Sequence, residues 1–104
     1  MTYAFSQDMP SNKVIYTGLS DRIGDQIPEG LIVHLAFETS TGTRIVDVWE
    51  SEEQFDRFRK ARLTPAMDNL LQEAGITRES LGAPQEETLK PLEIFGKGIA
   101  KRRF

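Results

Sequence analysis

The stretch GLIVHLAFETSTGTRIVDVWES, residues 30–51, decides how this chain folds. Two apolar runs, 31–38 and 43–50, flank a polar turn, and their side chains alternate in the way of paired strands. If Glu38 pairs with Thr43, the connection is Thr39-Ser40-Thr41-Gly42, with glycine where a positive φ is wanted. That register puts Leu31, Val33, Leu35 and Phe37 on one face with Val46 and Val48. The opposite face then carries Ile32, His34 and Ala36 with Ile45, Asp47 and Trp49. A slip of one residue would mix Asp47 and Trp49 into the leucine-rich face, so the first register separates the two chemistries better.

In this register His34 lies directly opposite Asp47, with Trp49 diagonal to it. Cross-strand neighbours have Cβ atoms roughly 5 Å apart, within reach of an imidazole–carboxylate hydrogen bond. The plain alternative is a core histidine satisfied by a carboxylate, beside a tryptophan that only packs. The uniformly apolar face is expected under the helices. The semi-polar face would then be left uncovered, and Ile32, Ala36, Ile45 and Trp49 would form an exposed apolar patch. Packing two such sheets face to face hides the patch and can enclose a cavity, so a homodimer built through the His34 face is expected.

Outward from the hairpin, TYAFSQD (2–8) reads as a first strand stopped by Pro10. Ser11 can cap a helix with apolar positions at Val14, Ile15, Leu19 and Ile23, closed by a left-handed cap at Gly24. SEEQ, from Ser51, fits a capping box that opens the second helix, with Glu52 and Glu53 at its positive end. Phe55 and Phe58 continue one face, and Thr64-Pro65 predicts a kink or restart before Met67, Leu70, Leu71, Ala74 and a closing Gly75. TRESLGAPQEET (77–88) reads as a loop, LKPLEIF (89–95) as a last edge strand, and GKGIAKRRF as flexible basic chain. The order strand, helix, strand, strand, helix, strand is the ferredoxin-like βαββαβ pattern of the α+β class, an antiparallel sheet with both helices on one face. The domain is expected over residues 1–96, with 97–104 as its tail.

Whole-chain properties set the boundaries. A chain of 104 residues holds one core and not two. A formal charge of −3 and a pI near 5.1 provide no field for nucleic acid or anionic membrane. The sequence has no cysteine and one histidine, so disulfides, thiolate metal sites and histidine-rich metal sites are excluded within a subunit. The amino-terminal MTYAFSQDMP has neither a basic start nor an apolar core, so no signal peptide is expected, and a cytoplasmic location is. No apolar run approaches the ~20 residues that cross a bilayer.

The residues PEGLIVHLAFE, RIVDVWESEEQFDRF and RLTPAM resemble the dimeric α+β barrel proteins, in particular antibiotic biosynthesis monooxygenase-like members. The resemblance covers residues 28–67, and a strand tryptophan followed by a capped helix is its most recognisable piece. It implies a homodimer whose two sheets form an α+β barrel with a ligand cleft in each subunit. The superfamily includes cofactor-free oxygenases of polycyclic phenols, haem-degrading enzymes and small isomerases. A strand tryptophan contributes to the oxygenase cleft, and Trp49 matches that place. The haem-degrading branch uses a first-strand asparagine, a helix tryptophan and a histidine further along that helix. Here Phe58 stands at the tryptophan place, and neither the asparagine nor the helix histidine is present.

Together these readings predict a small homodimeric protein that acts on, or only binds, a small aromatic or hydrophobic molecule, with no metal and no cofactor. His34 would accept a proton, Asp47 would orient it, and Trp49, Ile32, Ala36 and Ile45 would line the cleft. A catalytic histidine would keep one ring nitrogen towards open space; a structural one would have both bonded to protein. A cleft packed solid by side chains would indicate a purely structural dimer.

Overall fold

The computed structural model describes residues 2–104. Strand β1 (Tyr3–Met9) leads into α1 (Lys13–Ile23), followed by the hairpin β2 (Leu31–Thr39) and β3 (Gly42–Trp49). Helix α2 (Glu52–Phe58) passes through a π-helical turn (Arg59–Leu63) into α3 (Thr64–Ala74). A short α4 (Arg78–Leu81) precedes β4 (Gln85–Leu89), and β5 (Glu93–Gly96) and β6 (Ile99–Arg103) form a separate hairpin. The main sheet is antiparallel in the order β2-β3-β1-β4, the ferredoxin-like arrangement expected.

The hairpin register is the predicted one: Glu38 pairs with Thr43 and His34 with Asp47. Thr39 also pairs with Gly42, so the connection tightens to Ser40-Thr41. Glycine is required at 42 because a Cβ there would lie 2.1 Å from the Met9 carbonyl oxygen. At the other end of β2 the register shifts between Leu31 and Val33, so Leu31 faces Trp49 and Ile32 drops out of the ladder.

Helix caps follow local chemistry with one displacement. The first helix is capped by Asn12, whose Oδ1 accepts from the Ile15 N–H at 3.0 Å, and not by Ser11. Ser11 is buried, and its carbonyl accepts the Thr43 hydroxyl at 2.9 Å, tying the helix entry to β3. Ser51 caps α2 as predicted, accepting from Gln54 N–H. The expected interruption at Thr64-Pro65 takes the form of the π turn. Proline cannot donate to the Ala61 carbonyl, and the Thr64 N–H reaches back five residues to Arg59. Gly75 closes α3 in the left-handed conformation, with the Ile76 N–H on the Leu71 carbonyl.

Three expectations are overturned. The leucine-rich face is not the one under the helices: Ile45, Asp47 and Trp49 are buried beneath them, while Leu35 and Phe37 remain 46% and 49% exposed. Alternation separates two faces but does not say which one the helices take. That is decided by the crossovers β1-α1-β2 and β3-α2-β4 and by the pleat. The last sheet strand is 85–89, all but Leu89 within the stretch read as a loop; its polarity reflects an edge strand exposed along most of its length. Residues 97–104 are not a loose tail, since β6 pairs with β5, Arg102 bonds Glu50, and Lys101 and Arg103 flank Glu93. No helix among the described residues is long and apolar enough to cross a membrane.

Candidate functional site

Asp47 and Trp49 are two residues apart on β3, so both point to the helix side. The carboxylate is 5% exposed and both its oxygens are engaged. Oδ1 lies 2.5 Å from His34 Nδ1, and Oδ2 accepts the Trp49 indole N–H at 3.0 Å. Two donors on one carboxylate offset the cost of burying its charge. A carboxylate only accepts, so Nδ1 carries the proton and Nε2 of a neutral His34 is an acceptor. Nε2 lies 2.8 Å from the Tyr16 hydroxyl, delivered from α1 with its ring nearly parallel to the imidazole, at an interplanar angle of 9°. The result is a continuous chain, Tyr16–His34–Asp47–Trp49.

Both ring nitrogens of His34 are thus held by protein, the arrangement expected of a structural histidine and not of one that touches ligand directly. The outward end of the chain is Tyr16. Burial first, and the Asp47 charge second, push the Tyr16 phenol above its ordinary value of 10.0, so the hydroxyl keeps its proton at neutral pH.

The chain borders a cavity of about 290 Å³ between sheet and helices, whose walls include Phe5, Tyr16, His34, Trp49, Phe55 and Phe58. Trp49 meets Phe55 edge-on and Phe58 at a tilt, each at 5.4 Å between centroids, and Phe55 also packs on Phe5 at 4.9 Å. The capped start of α2, two residues after Trp49, aims this aromatic wall. Arg62, over the Phe58 ring, donates to the Ile23 and Gln26 carbonyls and ties the segment after α1 to the π turn. The cavity within the subunit is not packed solid by side chains.

Of the predicted lining residues, Trp49 and Ile45 border this cavity along with His34 and Asp47. Ile32 does not, because the register shift gives its place to Leu31; Ala36 keeps to the predicted face but lies beyond the cavity. Tyr16 was missed, though it shares a helical stripe with Leu19 and Ile23. Val14, read into that stripe, is 74% exposed. Among the described residues no group of three or more His, Cys, Asp or Glu side chains is placed to hold a metal ion.

No family model and no curated protein matches this sequence. Solved structures do. Rv0793 from Mycobacterium tuberculosis superposes with a TM-score of 0.56 at 17% identity, over 91% of this chain and 98% of that one. SnoaB, a cofactor-independent oxygenase from Streptomyces nogalater, gives 0.49 at 12% identity, over 86% and 90%. A nipsnap family protein of unknown function from Agrobacterium tumefaciens gives 0.47 at 21%, over 88% and 87%. The fold shared with Rv0793 is the ferredoxin-like α+β fold, as the order of strands and helices suggested.

Proposed function

We propose that the cavity between sheet and helices is a small-molecule site in which Tyr16, His34 and Asp47 take a proton from an acidic hydroxyl of a small aromatic or hydrophobic ligand. One observation carries this reading: a hydrogen-bonded chain that starts on a buried carboxylate and ends on a phenol bordering an aromatic-walled cavity. The ligand O–H gives its proton to the Tyr16 oxygen while the Tyr16 proton passes to His34 Nε2. The ligand is left as an oxyanion, and the imidazolium is stabilised by Asp47. His34 therefore remains the proton acceptor, at one remove. An electron-rich phenolate or quinolate is the form that reacts with oxygen, so the step suits a cofactor-free monooxygenase-like enzyme.

The test is a screen of phenols and quinols with oxygen present. Turnover is expected to fall at least 100-fold in Tyr16→Phe and in His34→Ala, the scale of a lost acid–base group. Turnover unchanged by both would remove the chain from the reaction. A second reading, non-catalytic ligand binding, is favoured by the engagement of both His34 nitrogens; binding without turnover across the panel would select it.

The uncovered sheet face supports a homodimer. Leu35 and Phe37 lie on it, and a second copy packed there would bury them and complete the α+β barrel. This moves the expected dimer contact from the His34 face to the opposite one, with Trp49 inside each subunit.

A further inference from the structure

The two layers of this domain meet where Phe55 and Phe58 pack on Trp49, and not around the helical cluster. The buried helical cluster consists of Leu19, Ala66, Met67, Leu70 and Leu71, and among the described residues no buried sheet residue joins it. Met9, Leu63 and Leu81 pack against that cluster yet stay only partly buried. The room they face is a second cavity of about 540 Å³, lined by Met9, Leu19, Ile45, Leu63, Met67 and Leu81, which opens towards residues 78–84. It adjoins the Tyr16–His34 cavity across a girdle of Gln7, Leu19, Ile45, Arg59 and Leu63, all of which border both.

The two ends differ in chemistry. Near Tyr16 the walls are aromatic and carry the hydrogen-bonded chain. Beyond the girdle Met9, Met67 and Leu81 form a flexible aliphatic wall, the kind that adapts to a chain and not to one rigid ring, with Ser11, Thr64, Arg78 and Glu79 as the polar part of the lining. The first cavity, about 290 Å³, sits at the small end of the range for ligand sites, which starts near ~300 Å³.

Resting on the proton-transfer reading above, we propose that the ligand is elongated: a hydroxyl-bearing ring or enol head at Tyr16, and an unbranched apolar chain that crosses the girdle into the second cavity. The chain replaces packing that the layers themselves do not provide.

Two ligand series test this, 4-n-alkylphenols from ethyl to decyl and the matching methyl ethers, with the single tryptophan, Trp49, as the fluorescent reporter in the cavity wall. Affinity should rise about four-fold per added CH₂ in both series, well past the length the first cavity holds. Gln7→Phe at the girdle should end the rise early, and Ala83→Phe at the exposed far mouth should end it late. A plateau at short chains in the wild type, or a long-chain gain untouched by Gln7→Phe, would overturn the proposal even where short phenols bind. The ethers separate the two readings. A slope retained in both series with no preference for the phenols supports the elongated ligand and counts against the Tyr16 chemistry. No fluorescence response at any length overturns both.

Discussion

The two faces of the main sheet have unequal claims to burial in the sequence, and the structure reverses them. On the hairpin the outer face carries Val33, Leu35, Phe37, Val46 and Val48, with the Arg44–Asp8 pair at its edge, yet Leu35 and Phe37 are half exposed. The inner face mixes His34 and Asp47 with Ile45 and Trp49, and it is the one the helices cover. The more apolar face is not always the one turned to a chain's own core. A face that alternation makes mostly apolar on the hairpin suits a subunit contact. The face given polar groups is the one that borders the aromatic-walled cavity.

That contrast can be broken by mutation, and the largest effects should come from the inner face. Trp49→Ala removes the only fully buried large side chain among the described residues, with its contacts to Asp47, Phe55 and Phe58, and should cost about 3–5 kcal/mol in denaturant unfolding. Asp47→Ala leaves the buried indole N–H and His34 Nδ1 without their acceptor, and about 1–3 kcal/mol should be lost. On the outer face, Phe37→Asp should leave the stability of the isolated subunit nearly unchanged but shift sedimentation from dimer to monomer. A wild type that sediments as a monomer at micromolar concentration would remove the subunit-contact explanation of the apolar outer face. The smallest effect belongs to Arg44→Ala, which breaks an exposed pair with Asp8 worth about 0–1 kcal/mol.

Alkaline titration sharpens the comparison from another side. Burial raises both tyrosines, Tyr3 and Tyr16, above the ordinary 10.0. A phenol raised on folding stabilises the fold below its unfolded value, and that contribution is lost as pH rises through the folded one. Unfolding midpoints should therefore fall only above about pH 10. Phenolate absorbance should show no tyrosine titrating at the free value, and Tyr16→Phe should remove one of the two transitions.

How much of this was legible in the sequence differs from feature to feature. Strand period and the polar turn were enough to pair His34 with Asp47, because register is a local matter of alternation and loop length. The Ser51 cap and the break at Pro65 were legible for the same reason: each depends on a few adjacent residues. Which face the helices cover was not, since it depends on crossovers between strands far apart in sequence. Tyr16 was hidden because its partner lies 18 residues away, and a tyrosine on an apolar helical stripe reads as packing. Strand β4 was hidden because Gln85, Glu86 and Glu87 carry no apolar alternation; its place comes from pairing with β1.

The central claim is that a ligand hydroxyl at Tyr16 loses its proton to His34. It is tested most directly by a chromophoric phenol such as 4-nitrophenol, whose ionisation is read in the visible spectrum. Bound to the wild type at a pH where most of it is neutral in solution, it should be largely ionised, and Tyr16→Phe and His34→Ala should each return it to the neutral form at saturating protein. A bound phenol that stays neutral in the wild type, or that ionises equally in all three proteins, would contradict the account.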